Sequence, residues 1–229
     1  MAEQERSSLT RPILLIALVL PLALLAFIYL GTKQEFEGVP FQYDIQDGDT
    51  VVHTLPVFSF INTKGETITQ DDLQGKIVLM SFFSVDGDSL SQTKTKVLFG
   101  NLMRTYENVD WEKDPPFLFV SVNTGDSLAV VRAFAARQES EPEHWWFLGG
   151  NQEDVIRLGG KGLRLPEFTH ATPGFQPFTS QRAALIDMEG RVRKYYVATD
   201  LQEERGIQED LITLLRIDYP EEINRMRAE

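Results

Sequence analysis

Residues Pro12–Leu30 read PILLIALVLPLALLAFIYL, 19 positions without a charged side chain. At ~1.5 Å of rise per helical residue such a run spans about 28 Å, close to the hydrocarbon thickness of a bilayer. It exceeds the roughly 7 to 15 apolar residues of a cleaved signal peptide. Its far end, Phe27, Ile28, Tyr29 and Leu30, also offers no small-residue cleavage site. The chain has no Cys, which removes lipid attachment through a thiol and leaves the helix itself as the expected anchor, bent at Pro21. Arg6 and Arg11 precede the run and Lys33 follows it, so the positive-inside rule predicts residues 1–11 in the cytoplasm and the remainder outside. Glu3 and Glu5 cancel Arg6 and Arg11, so the whole net charge of −12 belongs to the part beyond the anchor. Those two glutamates also argue against an Arg-rich mitochondrial presequence. A single-pass protein of the bacterial inner membrane, its large domain facing the periplasm, is the expectation.

The absence of Cys excludes disulfides, thiolate nucleophiles, zinc ribbons and iron–sulfur clusters. With 34 Asp and Glu against 22 Lys and Arg, the chain lacks the clustered cations that neutralise phosphates, and nucleic acid is not an expected partner.

Beyond the anchor, residues 31–55 are polar and poorly periodic and read as a tether, with a short strand at Val51 to His53. Residues 56–229 suit one α/β domain. A hairpin is predicted from Phe58 to Ile61 and Glu66 to Thr69 around Lys64-Gly65. IVLMSFF at Ile77 to Phe83 and FLFVSV at Phe117 to Val122 are continuous apolar runs of the kind found in central strands buried on both faces. Helices are predicted over Ser89 to Tyr106 and over Ser127 to Arg137 with Asp126 near its start. A third strand follows at Trp145 to Leu148, then a short helix from Asn151 through Leu158. Ala183 to Ile186 and Val192 to Val197 form a hairpin around Met188-Glu189-Gly190, and Ile207 to Ile217 closes the chain as a helix. This alternation predicts a thioredoxin-like sandwich, a mixed central sheet flanked by helices.

The stretch FSFINTKGETITQDDLQGKIVLMSFF at Phe58 to Phe83 resembles the opening of the SCO/SenC family of membrane-anchored, thioredoxin-fold copper chaperones of cytochrome oxidase assembly. The FLFVSVN strand, the WWFLGG strand with its following helix and the ALIDMEGRV hairpin are similar to later pieces of that family, in the same order. The resemblance implies a copper site made by two cysteines of a C-P-x-x-C-P motif and a histidine. On this chain the cysteine positions fall on Gly87 and Ser91 and the histidine position on Thr179. Cu(I) selects soft thiolates, so a glycine and two hydroxyls do not replace that ligand set. A degenerate member without a cofactor is therefore expected, and not an enzyme.

Other side chains offer weaker possibilities. Asp86 and Asp88 flank Gly87 in VDGDS, which lacks the remaining acids of a calcium loop; it reads as a strand-to-helix turn with Asp88 or Ser89 as cap, or else as a surface cation site or an epitope. His170 lies on the side from which the family's histidine arrives, whereas a solvated loop histidine is the plainer reading. His53, His144 and His170 show no metal-ligand spacing. LGGKGL at Leu158 to Leu163 lacks the GK[ST] ending of a phosphate loop and reads as a flexible helix stop. Phe168, Phe175 and Phe178, in the aperiodic stretch Leu163 to Phe178, either pack on the domain or form a protein-binding surface.

Three functions follow as expectations: a non-catalytic interaction module acting in assembly of a respiratory oxidase or another membrane complex; a metal carrier or redox-related protein with oxygen and nitrogen ligands around Asp86, Asp88 and His170; or a structural subunit of a membrane complex. The bilayer and a membrane protein complex are the expected partners.

Overall fold

The computed structural model describes residues 39–87, 89–107, 116–137 and 144–220, all within the compact unit Gly38–Glu229. The expected cytoplasmic segment 1–11, the anchor 12–30, the first part of the tether and Asp88 lie outside the described residues. Among the described residues no helix is long and apolar enough to cross a membrane.

Strands β1 (Tyr43–Gln46) and β2 (Asp49–Val52) pair as a separate antiparallel hairpin. Its turn places Asp47 and Gly48 at φ of 53° and 91°, the left-handed pair that an Asp-Gly hairpin turn favours. The stretch read as a tether with one short strand is thus a two-stranded element from Tyr43 onward. Strands β3 (Ser59–Asn62) and β4 (Thr67–Thr69) form the predicted hairpin, and Thr69 and Asp72 build a reciprocal capping box on the 3₁₀ turn Gln70–Leu73.

The main sheet contains seven strands in the order β4-β3-β7-β6-β5-β8-β9, with β5 Ile77–Phe83, β6 Phe117–Asn123, β7 Trp145–Gly149, β8 Arg182–Ile186 and β9 Val192–Val197. The three central strands run parallel, with Ile77 opposite Phe117 and Phe119 opposite Trp145. Strand β8 adds antiparallel to β5, and β3 adds antiparallel to β7. Every residue of β5 and β6 is buried, as their unbroken apolar runs require.

Alternation in β5 divides the core. Ile77, Leu79 and Phe83 face one side, where they meet Leu98, Phe99 and Leu102 of helix α1 (Ser89–Glu107) and Leu211 and Leu214 of the C-terminal helix. Val78, Met80 and Phe82 face the other, against Phe58, Phe60, Val155 and Leu158. Helix α2 (Leu128–Ala135) is capped by Ser127, whose side chain accepts from Val130 N; Asp126, expected near the helix start, bonds elsewhere. Helix α3 (Gln152–Ile156) is capped by Asn151 as predicted, but it ends two residues early and passes into a π-helical turn, Arg157–Gly162. The C-terminal helix α4 (Glu203–Asp218) begins a turn before the apolar pattern, with Glu203 and Glu204 favoured by the helix dipole there.

Candidate functional site

Three loops converge where β5 and β6 end, the edge of an open α/β sheet at which ligands ordinarily bind. The first, Ser84 to Gly87, joins β5 to α1. The second, following β6, is ordered by Asn123, whose Oδ1 accepts from Gly125 N at 3.0 Å and Asp126 N at 2.6 Å. The third approaches β8 through Phe178 to Ser180. Asp126 Oδ2 accepts from Val85 N at 2.7 Å and joins the first two loops, while Phe178 N donates to Thr124 Oγ1 at 3.0 Å and joins the second to the third. Ser180 N donates to Phe82 O at 3.0 Å and completes the frame.

This frame brings two of the three expected ligand positions together. A Cβ placed on Gly87 would lie 2.9 Å from Thr179 Oγ1 and 3.3 Å from Ser84 Cβ. Thr179 Oγ1 itself accepts from Ser84 N at 3.3 Å. Ser91 is buried in the first turn of α1. What holds the loop is Gln92, the next residue. Its Nε2 donates to Ser84 O at 2.6 Å and lies 3.2 Å from both Val85 O and Gly87 O, so one amide gathers three carbonyls. The donor set does not fit a Cu(I) ion: Gly87 has no side chain and Ser91 and Thr179 offer only hydroxyls. In and around the loop, Ser81 Oγ, Ser84 Oγ and Thr95 Oγ1 are buried without a hydrogen-bond partner.

The other candidates are placed apart. Asp86 is exposed, and so is His170, in the turn after the 3₁₀ segment Pro166–Phe168. Among the described residues no three His, Asp or Glu side chains group to hold a metal ion. The aromatic trio packs inward: Phe168 is 3% exposed, and its ring centroid lies 4.7 Å from that of Phe82, 4.9 Å from Phe178 and 6.4 Å from Phe175. Phe175 and Phe178 keep a partly exposed edge.

No protein-family model and no curated protein matches the sequence. Among solved structures, a SCO1/SenC family lipoprotein from Bacillus anthracis is 22% identical with a TM-score of 0.57, covering 71% of this chain and 95% of its own. BsSco, a member of the Sco family of cytochrome c oxidase assembly proteins, is 19% identical, with a TM-score of 0.55 over 71% of this chain and 93% of its own. Yeast Sco1 is 17% identical, with a TM-score of 0.54 over 71% and 98%. The fold is SCO/SenC-like thioredoxin. Within that fold this chain holds Gly87 and Thr179 side by side at the loop where the sequence resemblance implied ligands, with Ser91 buried in the helix that follows and Gln92 bonded to the loop carbonyls.

Two polar clusters outside the loop escaped the sequence reading. His53, read as part of a tether, is 4% exposed; its Nδ1 lies 2.6 Å from Asp44 Oδ2 and its Nε2 2.6 Å from Gly162 O. Asp187 is fully buried between Arg191 and Arg193, with Nε and Nη1 of the two guanidiniums at 2.7 and 2.8 Å from its Oδ2. Arg193 donates through Nε to Val39 O at 3.0 Å and lies 3.9 Å from the Phe41 ring centroid. Together these contacts fasten residues 39–53 to the domain. The alternating Arg191 and Arg193 beside a turn Asp were the only sequence signal, and a lone histidine carries none.

Proposed function

We propose that this chain is a membrane-anchored, non-catalytic member of the SCO/SenC-like group, a factor that binds a respiratory oxidase or another membrane complex during assembly. It sits in a bacterial inner membrane with residues 56–229 in the periplasm, and carries no resident copper. The observation behind this reading is the Gln92 amide: the loop that the resemblance makes a ligand cradle is held closed by a side chain of the protein itself. The proposed process rests on fold likeness to proteins such as BsSco, described as one of a family of cytochrome c oxidase assembly proteins. The surface around the loop, with Leu90 61% exposed at the head of α1 and the open edges of Phe175 and Phe178, is the proposed contact region.

Capture through this protein after gentle detergent extraction, with mass spectrometry of the partners, tests the role. Recovery with immature oxidase intermediates alone supports it. Recovery in fixed ratio with the mature complex makes the chain a structural subunit instead. An anaerobic copper titration tests the site: tight stoichiometric binding lost on replacing Asp86, Asp88 and His170 would establish the oxygen and nitrogen ligand set and overturn the non-catalytic reading.

A further inference from the structure

We propose that the groove over the glycine-rich turn Leu158–Leu163 is a binding site for a monocarboxylate with an apolar body. The groove encloses about 670 Å³ and shares no residue with the Gly87 loop. That volume is in the range of sites for drug-sized ligands.

The floor is apolar. Leu165 and Phe168 are buried, and Ile156 and Ala171 half-buried, along it. The rim is cationic. Residues 157–164, RLGGKGLR, carry three cations and no acid in a chain whose net charge is −12. Arg157, Lys161 and Arg164 all line the groove. The glycines allow this arrangement: Gly159 lies against the Phe168 ring and Gly162 against Pro56, so close that a side chain at either position would displace its neighbour. The π-helical turn can therefore lie flat on Phe168 and hold its cations at the rim.

The charge partners decide what kind of anion fits. Arg157 pairs with Asp154, and Arg164 pairs with Asp44 while its Nη1 donates to Tyr43 O at 3.1 Å. Each of these guanidiniums is already matched by a carboxylate. Lys161 is exposed and makes no ion pair among the described residues. Glu153 supplies one carboxylate to the lining. A single negative charge therefore finds a single unpaired ammonium, while the second charge of a phosphate dianion would meet no unpaired cation and would face Glu153. An acyl or aryl monocarboxylate has both the one charge and the apolar surface that the floor covers.

The test uses the full chain in phosphatidylcholine nanodiscs, with empty nanodiscs as the blank, titrated calorimetrically with 2-naphthoate and with its neutral isostere 2-naphthylmethanol. Saturable binding of one 2-naphthoate per chain is expected, weakened about fivefold by Lys161→Met and about fivefold in the alcohol, the range of a partly exposed ion pair. Glu153→Gln should tighten it about twofold by removing the opposing charge. Lys161 is exposed, so an unchanged thermal unfolding curve will show that Lys161→Met leaves the fold intact. The proposal is overturned by the absence of saturable heat at millimolar 2-naphthoate, by equal binding of the alcohol, or by wild-type affinity in Lys161→Met.

Discussion

At Gly87 the chain has room for a hydrogen and little else, because Thr179 Oγ1 stands 2.9 Å from where a methyl group would go. Gly87→Ala is expected to destabilise the protein by about 1 to 3 kcal/mol, the usual cost of overpacking. Thr179→Ala alone removes the acceptor for Ser84 N and costs about 1 kcal/mol. The double variant should lose less than the sum by about 1 kcal/mol, since removing Oγ1 makes the space that the new methyl needs. Urea unfolding of the four proteins measures the coupling; strict additivity would separate the two positions. A second residue is set by charge. Burial pushes the Asp218 carboxyl up, with further repulsion from Asp187, and its Oδ2 is buried without a partner at the C-terminal end of α4, where the helix dipole also disfavours an anion. A carboxyl raised in the folded state favours folding while protonated and opposes it once ionised, so its contribution is lost as pH rises from the ordinary value of 3.8 through the raised one. Asp218→Asn should therefore raise the Tm at pH 7, with the gain shrinking as pH falls towards 3.8. A gain that grows on acidification would reverse the sign of this reading.

Among the elements, β5 and β6 are legible in the sequence, because strands covered on both faces are apolar nearly throughout, as IVLMSFF and FLFVSVN are. The β1–β2 hairpin was not legible. It buries little of its own surface, with Ile45 81% exposed, and what holds it is remote: His53 to Gly162 O and Arg164 to Asp44 and Tyr43. An element fastened by long-range polar contacts leaves no periodic mark on its sequence. His53→Ala should leave Gly162 O unpaired and cost about 1 to 3 kcal/mol. Hydrogen exchange followed by mass spectrometry should then show amides of 43–52 exchanging faster while 117–123 stay protected. Equal loss of protection in both segments would mean that the hairpin does not open as a separate unit. The LGGKGL stretch differs for a related reason. Read as a flexible stop, it is a π-helical turn with Leu158, Gly159 and Gly162 buried, and only the Phe168 and Pro56 surfaces facing it explain why glycine is needed.

For the whole molecule, the SCO/SenC-like frame holds Gly87 and Thr179 side by side although neither bears a thiolate or an imidazole. A frame that keeps the spacing should accept the chemistry back. Gly87→Cys, Ser91→Cys and Thr179→His combined, the last removing the Oγ1 that crowds a Cβ at Gly87, are expected to bind one Cu(I) per chain under anaerobic conditions, read by competition with a coloured Cu(I) chelator, with no competition expected from the unaltered protein. A folded triple variant without copper affinity would show that the Gln92-closed loop has drifted from ligand geometry. What the residues alone determine is the class of chemistry and the central layer: with no Cys there is no thiolate at any position, and with continuous apolar runs the sheet interior is settled by water's exclusion of those side chains. What the tertiary structure decides is how distant residues meet. That Arg193 holds Val39, that His53 reaches Gly162 O and that Thr179 stands against Ser84 and Gly87 all depend on loops brought together by the sheet. Such contacts join residues as many as 154 positions apart, and local patterning carries no information about them because the chain pays their ordering entropy only once the core has formed.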